Sequence, residues 1–189
     1  MNLLKTLLLL LMLAAVGAGA FVYSGLYEIG ADVPHTRPVL WLLETFRDRA
    51  IAAHAAGIKV PPLDDPALIA EGAEHYSAMC TGCHLAPGME DSEIRPGLYP
   101  QPPKLTEVSD LSPAEEFWMI KHGVKMTAMP AWGPTHDDAK IWGMVAFLQK
   151  LPKLTPAQYA AMTGAAGGQA HDADQHMHLR MNAPAGGHE

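Results

Sequence analysis

The alternation of apolar and polar positions divides the chain before any chemistry is considered. Thr6 to Leu26 carries no charge, gathers Leu7 to Leu11 into one block, and is about as long as a membrane-spanning helix requires. Read as a cleaved signal peptide, the stretch ends in Ala18-Gly19-Ala20, a small-x-small site of the kind the peptidase uses. Read as an uncleaved anchor, it continues through Phe21, Val22, Tyr23, Leu26 and Tyr27, with the two tyrosines where interfacial aromatics sit. Either reading delivers the rest of the chain to the outer compartment: membrane-anchored on the periplasmic side, or soluble in the periplasm after cleavage.

Beyond this segment the apolar period is helical. From Pro38 to Ala56, Val39, Leu42, Leu43, Phe46 and Ala50 share one face, and Glu44, Arg47, Asp48 and Arg49 lie off it. This predicts an amphipathic helix that either packs on the following domain or lies on lipid. Gly57 to Asp64, with Pro61 and Pro62, reads as a linker. Asp65-Pro66 then starts a helix that brings Ile69, Gly72, Ala73 and Tyr76 to one face and runs into Cys80. Leu85 to Ser109 is too rich in Pro and Gly for helix or central strand, so its order must come from something it wraps. Ser112-Pro113-Ala114-Glu115 is a capping box opening a helix that ends near Gly123, and Thr135-His136-Asp137-Asp138 resembles another. The last main helix carries Ile141, Met144, Val145, Leu148 and Leu151, and Thr155-Pro156 starts a short one. From Gly164 onward the composition shifts to Ala, Gly, His and Met without apolar period, which predicts a disordered tail. The expected architecture is all-α: 1–30 an anchor or signal, 31–63 an amphipathic helix and linker, 64–155 a helical domain, and 156–189 a short helix and tail.

Charge and cysteine content narrow the chemistry. The formal charge is -7, and the 13 Lys and Arg are scattered singly, leaving no basic stripe for a nucleic-acid backbone. The only cysteines, Cys80 and Cys83, are too close for a loop-closing disulfide and have no second pair for a thiolate metal site. Their setting, Cys80-Thr81-Gly82-Cys83-His84, is the C-x-x-C-H attachment signature for c-type haem. Two thiols on one side of a helical turn reach the two vinyl groups on one porphyrin edge, and His84 falls beneath the ring. A sixth iron ligand is expected from Met129, where Pro130 and Gly133 hold an irregular loop with no helical face for a methionine to fill. Met126 is its nearest competitor, and His122 and His136 sit at helix ends where a capping or solvated imidazole is the ordinary explanation. A neutral thioether paired with a neutral imidazole favours reduced iron and a potential above that of bis-histidine ligation.

Gly72 and Tyr76, Cys80 to His84, Met129-Pro130 and Phe147, in that order, make Asp64 to Leu154 resemble a membrane-anchored, monohaem class I cytochrome c. The resemblance implies a small helical domain around one covalent haem. It also implies that Gly72 lets Phe147 approach at a helix crossing, and that a proline carbonyl, from Pro100, Pro102 or Pro103, accepts the proximal imidazole N–H. Trp118, Trp132 and Trp142 are expected around the porphyrin, whose apolar bulk compensates for the small size of the domain. The implied function is single-electron transfer through a porphyrin edge near the attachment cysteines, between redox donor and acceptor proteins of a respiratory or dehydrogenase chain, without catalytic residues. A haem enzyme or gas sensor would instead need a displaceable sixth ligand, and the sequence offers no distal acid or base constellation for it. The tail residues His171, His176, His178 and His188, with Met177, Met181, Asp172 and Asp174, have the donor chemistry for copper, which gives a copper-handling cytochrome as a further reading.

Overall fold

Most helix starts are written in short-range side-chain chemistry. In a computed structural model, which describes residues 2–164, Asp65 caps its helix by accepting from Ala67 N–H at 2.9 Å, with Pro66 in the first turn. Ser112 and Glu115 form a reciprocal capping box, as do Thr155 and Gln158. Among the described residues there are seven α-helices and no strand: α1 (Leu3–Ser24), α2 (Arg37–Ala55), α3 (Pro66–Met79), α4 (Thr81–His84), α5 (Pro113–His122), α6 (Asp138–Leu148) and α7 (Pro156–Thr163). The expected all-α architecture is the observed one. The His- and Met-rich segment and its copper reading lie outside the described residues.

Two of the predicted starts and connections differ in detail. α6 is capped by Asp137, which accepts from Lys140 N–H at 3.0 Å, and not by Thr135. The Thr135 hydroxyl is turned back onto the Trp132 carbonyl at 3.2 Å, so the chain is still in a turn there. The long connection after His84 also contains one 3-10 turn, Arg95–Gly97.

Contacts divide the chain between His35 and Thr36. The first unit is α1, long and apolar enough to cross a membrane and ended by Gly25 in the left-handed region, followed by a short segment in which Tyr27 Oη meets His35 Nδ1 at 2.7 Å. Its length and composition fit a membrane anchor and a signal sequence alike.

In the second unit α3 and α6 cross at closest range. A Cβ on Gly72 would fall on the carbonyl of Gly143, so two glycines allow backbone to meet backbone. The residue opposite Gly72 is thus Gly143, and Phe147 sits one turn further on, its ring 5.4 Å from that of Tyr76. Around the crossing, Ile69, Ala73, Tyr76, Ala86, Ala146, Phe147, Leu151 and Tyr159 form one buried cluster. Phe117, Ile120, Ile141, Met144 and Val145 form a second, between α5 and α6. α6 is buried on nearly every side, which explains why its sequence is apolar almost throughout.

α2 resolves into two halves. Ile51 and Ala55 are buried, α2 packs on α5, and the His54 ring stacks on Trp118 at 5.3 Å. Trp41, Leu42, Leu43 and Phe46, in its first half, are exposed.

One carboxylate in this core is out of place by charge. Glu116 on α5 is 6% exposed, and Gln149 Nε2 donates to it at 2.6 Å. Burial pushes its carboxyl up to about 7, against the opposing effect of hydrogen bonds from Ser109 and Gln149. Because the folded value lies above the unfolded one, the folded state holds the proton longer. Stability is therefore full below about pH 4.5 and falls as pH rises through about 7. Glu116→Gln should remove that slope, on the order of 1 to 2 kcal/mol after discounting for solvent screening, in paired denaturant titrations at pH 5 and pH 8. Identical slopes in both proteins would show that this carboxyl does not titrate there.

Candidate haem-binding site

The attachment residues occupy a single tight turn. α3 ends at Met79, Cys80 bridges to α4, and the His84 N–H donates to the Cys80 carbonyl at 2.8 Å, so Cys80, Cys83 and His84 come to one side. Both thiols are half-buried, and burial pushes that of Cys80 up to about 12, with the neighbouring Cys83 adding to the effect. The chain then reverses at Leu85, a buried leucine held at φ 65°. That costly conformation is pinned by the Tyr76 hydroxyl, which donates to the Leu85 carbonyl at 2.6 Å. Burial pushes the Tyr76 phenol well above its usual range, so it stays a donor. A role for Tyr76 beyond core packing was not legible in its helical spacing.

His84 is oriented by the loop it starts. Its Nδ1 donates to the Pro103 carbonyl at 2.8 Å, which selects Pro103 from the three prolines the sequence offered. With the proton on Nδ1, the Nε2 lone pair remains for a metal. Burial holds the ring below the ordinary histidine range; the Pro103 bond opposes this, and the positive charge of Arg95 reinforces it. The haem expected from the C-x-x-C-H signature fits these residues: two thiols and a neutral imidazole with a free Nε2 are presented from one turn.

The Met129 loop is fixed by backbone. Val124 N–H donates to the Met129 carbonyl at 3.1 Å, Trp132 N–H to Ile120 at 3.1 Å, and Gly133 N–H to Lys121 at 2.9 Å, so the loop folds back on the end of α5. A Cβ on Gly123, which has φ +65°, would lie 2.7 Å from the Pro130 carbonyl carbon and 2.8 Å from the Met129 oxygen. Gly123 therefore does more than end α5; it admits the Met129-Pro130 backbone. Met129 is half-buried against the second cluster, which Met79, next to Cys80, also borders. Met126 is 95% exposed. Among the tryptophans, Trp142 stacks on Phe117 at 4.2 Å, Trp132 meets His136 edge-on at 5.4 Å, and Trp118 lies against both His54 and His122. No group of three or more His, Cys, Asp or Glu among the described residues is arranged to hold a metal ion.

Residues 67–148, which span the attachment turn, the proline loop and the Met129 loop, match the family model described as cytochrome c oxidase, cbb3-type, subunit III. This is a c-type cytochrome domain. Its prosthetic group is covalently bound haem c, and its chemistry is haem-based electron transfer with redox partners. No curated protein matches the chain. In the cytochrome domain the matched segment begins at the second residue of α3 and ends with α6, so the glycine crossing and both buried clusters lie largely within it.

Proposed function

We propose that the chain is a single-electron carrier in which Cys80 and Cys83 hold haem c through thioethers and His84 and Met129 are its axial ligands. The observation that carries this reading is the 2.8 Å bond from His84 Nδ1 to Pro103, which fixes the tautomer a metal-binding imidazole needs. When bound, haem c supplies a one-electron ferric–ferrous couple. His84 and Met129, both on backbone tied down by hydrogen bonds, would keep the same positions in either oxidation state, so little reorganisation accompanies transfer. The half-exposed turn at Cys80 and Cys83 offers the entry and exit point, one electron arriving from a donor protein and one leaving to an acceptor.

The carrier domain is 64–155, joined to the amphipathic helix and linker of 31–63 and to the anchor or signal of 1–30. On this reading it works in the periplasm, held at the membrane by α1 or released after cleavage. Membership of a larger oxidoreductase, in keeping with the oxidase subunit whose model it matches, would make it that complex's electron inlet or relay.

Met129→Ala should leave haem attached, lower the reduction potential and let carbon monoxide bind the reduced protein readily. Redox titration and carbon monoxide difference spectra measure both effects. A native potential and spectrum in Met129→Ala would refute the ligand assignment.

A further inference from the structure

Arg95 is buried to 7% exposure in the loop between the attachment turn and Pro103, where a surface arginine would cost nothing. Its Nη2 donates to the Pro102 carbonyl at 3.1 Å, one peptide before the carbonyl that receives His84 Nδ1. Its backbone N–H donates to Ser92 Oγ at 3.2 Å, and that hydroxyl donates in turn to the Gly82 carbonyl between the two cysteines. The only acidic partner among the described residues is Asp91, 3.6 Å from Nη1 and itself about half exposed. Arg95 Nε is buried with no protein partner. A guanidinium desolvated to this degree and so incompletely paired is expensive to bury for folding alone.

We propose that Arg95 is a positioning and potential-setting residue: it clamps the Pro102-Pro103 segment that orients His84, and its buried charge, which acts on that imidazole, favours the ferrous over the ferric state. The inference rests on His84 being an axial ligand. Two effects of Arg95 on the potential have opposite signs, which makes them separable. Its charge disfavours the extra positive charge of the ferric site and raises the potential. Its grip on Pro102 keeps the Pro103 carbonyl on His84, which makes the imidazole more basic and lowers the potential. Burial leaves the charge poorly screened, so the first effect dominates.

The test uses the full-length, haem-loaded protein with Arg95→Gln, which can still donate to Pro102 but carries no charge, and Arg95→Lys, which keeps the charge without the fork. Potentiometric titration should show Arg95→Gln shifted downward, by up to about tenfold in the ferrous-to-ferric ratio at a fixed ambient potential, and the shift should persist at high ionic strength. Arg95→Lys should stay near the parent value. An unchanged or raised potential in Arg95→Gln, or an equal drop in both variants, would overturn the proposal. Failure of the underlying ligand assignment would appear separately, as a parent protein whose optical spectrum is not that of six-coordinate His–Met iron.

Discussion

Replacing both Cys80 and Cys83 with alanine is expected to abolish covalent haem attachment completely, and His84→Ala is expected to prevent maturation to a native holoprotein. The geometry gives each residue a distinct share of the outcome. Cys80 and Cys83 stand on one side of a single turn, and on the proposed assignment these two thiols would hold the porphyrin by adding across its vinyl groups, so without them no bond would join it to the chain. His84 has its ring already held by Pro103 with Nε2 free, and no other described imidazole is held beside the attachment turn by such a bond. The consequence extends beyond the cofactor. A domain this small buries little apolar surface of its own, so loss of the porphyrin should also unfold it. Haem staining after denaturing electrophoresis, paired with circular dichroism of whatever accumulates, reads both effects. Haem that remains covalently bound in the double-alanine variant would contradict the assignment of the two thiols.

Gly72→Val is expected to be nearly as damaging through packing alone. Already the first added carbon would meet the Gly143 carbonyl and lie 2.9 Å from the Met144 nitrogen, both backbone atoms of a buried helix that cannot rotate aside. α3 and α6 would have to separate along their whole crossing, opening the cluster of Ala73, Tyr76, Ala146 and Phe147. Overpacking a core commonly costs about 1 to 3 kcal/mol, and a clash between two backbones belongs at or above the upper end. Denaturant unfolding of the holoprotein should show a loss of about 3 kcal/mol or more, or no folded protein at all. A midpoint within error of the parent would mean that the crossing is wider than described.

What the sequence made legible follows the range of the interaction involved. Asp65-Pro66, Ser112 with Glu115 and Thr155-Pro156 are helix starts marked by residues within one turn of each other, and the structure keeps each of them. The attachment turn is equally local. Thr135 misled because it and Asp137 carry equally suitable oxygens, and only the path of the preceding turn decides between them. Gly72 was readable as a crossing residue, but Gly143 was not, since its partner lies across the core and an apolar helix gives no reason to single out one glycine. Pro103 could not be chosen from its neighbours because the choice depends on how the loop closes over His84. Arg95 left no signal at all: in a polar, proline-rich stretch an arginine reads as solvated, and only the fold shows it buried. α2 carried an apolar stripe compatible with two surfaces, but the residues it buries against the domain, Ile51 and Ala55, lie off that stripe, and Leu42, Leu43, Phe46 and Ala50 on it are exposed.

On the proposed function, iron held by this chain is six-coordinate through His84 and Met129 and passes electrons without opening a site. The optical spectrum of the purified parent protein, oxidised and then reduced under carbon monoxide, tests it most directly. The oxidised spectrum should show the weak sulfur-to-iron band at its red end, and the reduced protein should respond little to carbon monoxide. Absence of that band together with ready carbon monoxide binding would contradict the proposed function and place the protein among haem enzymes or gas sensors.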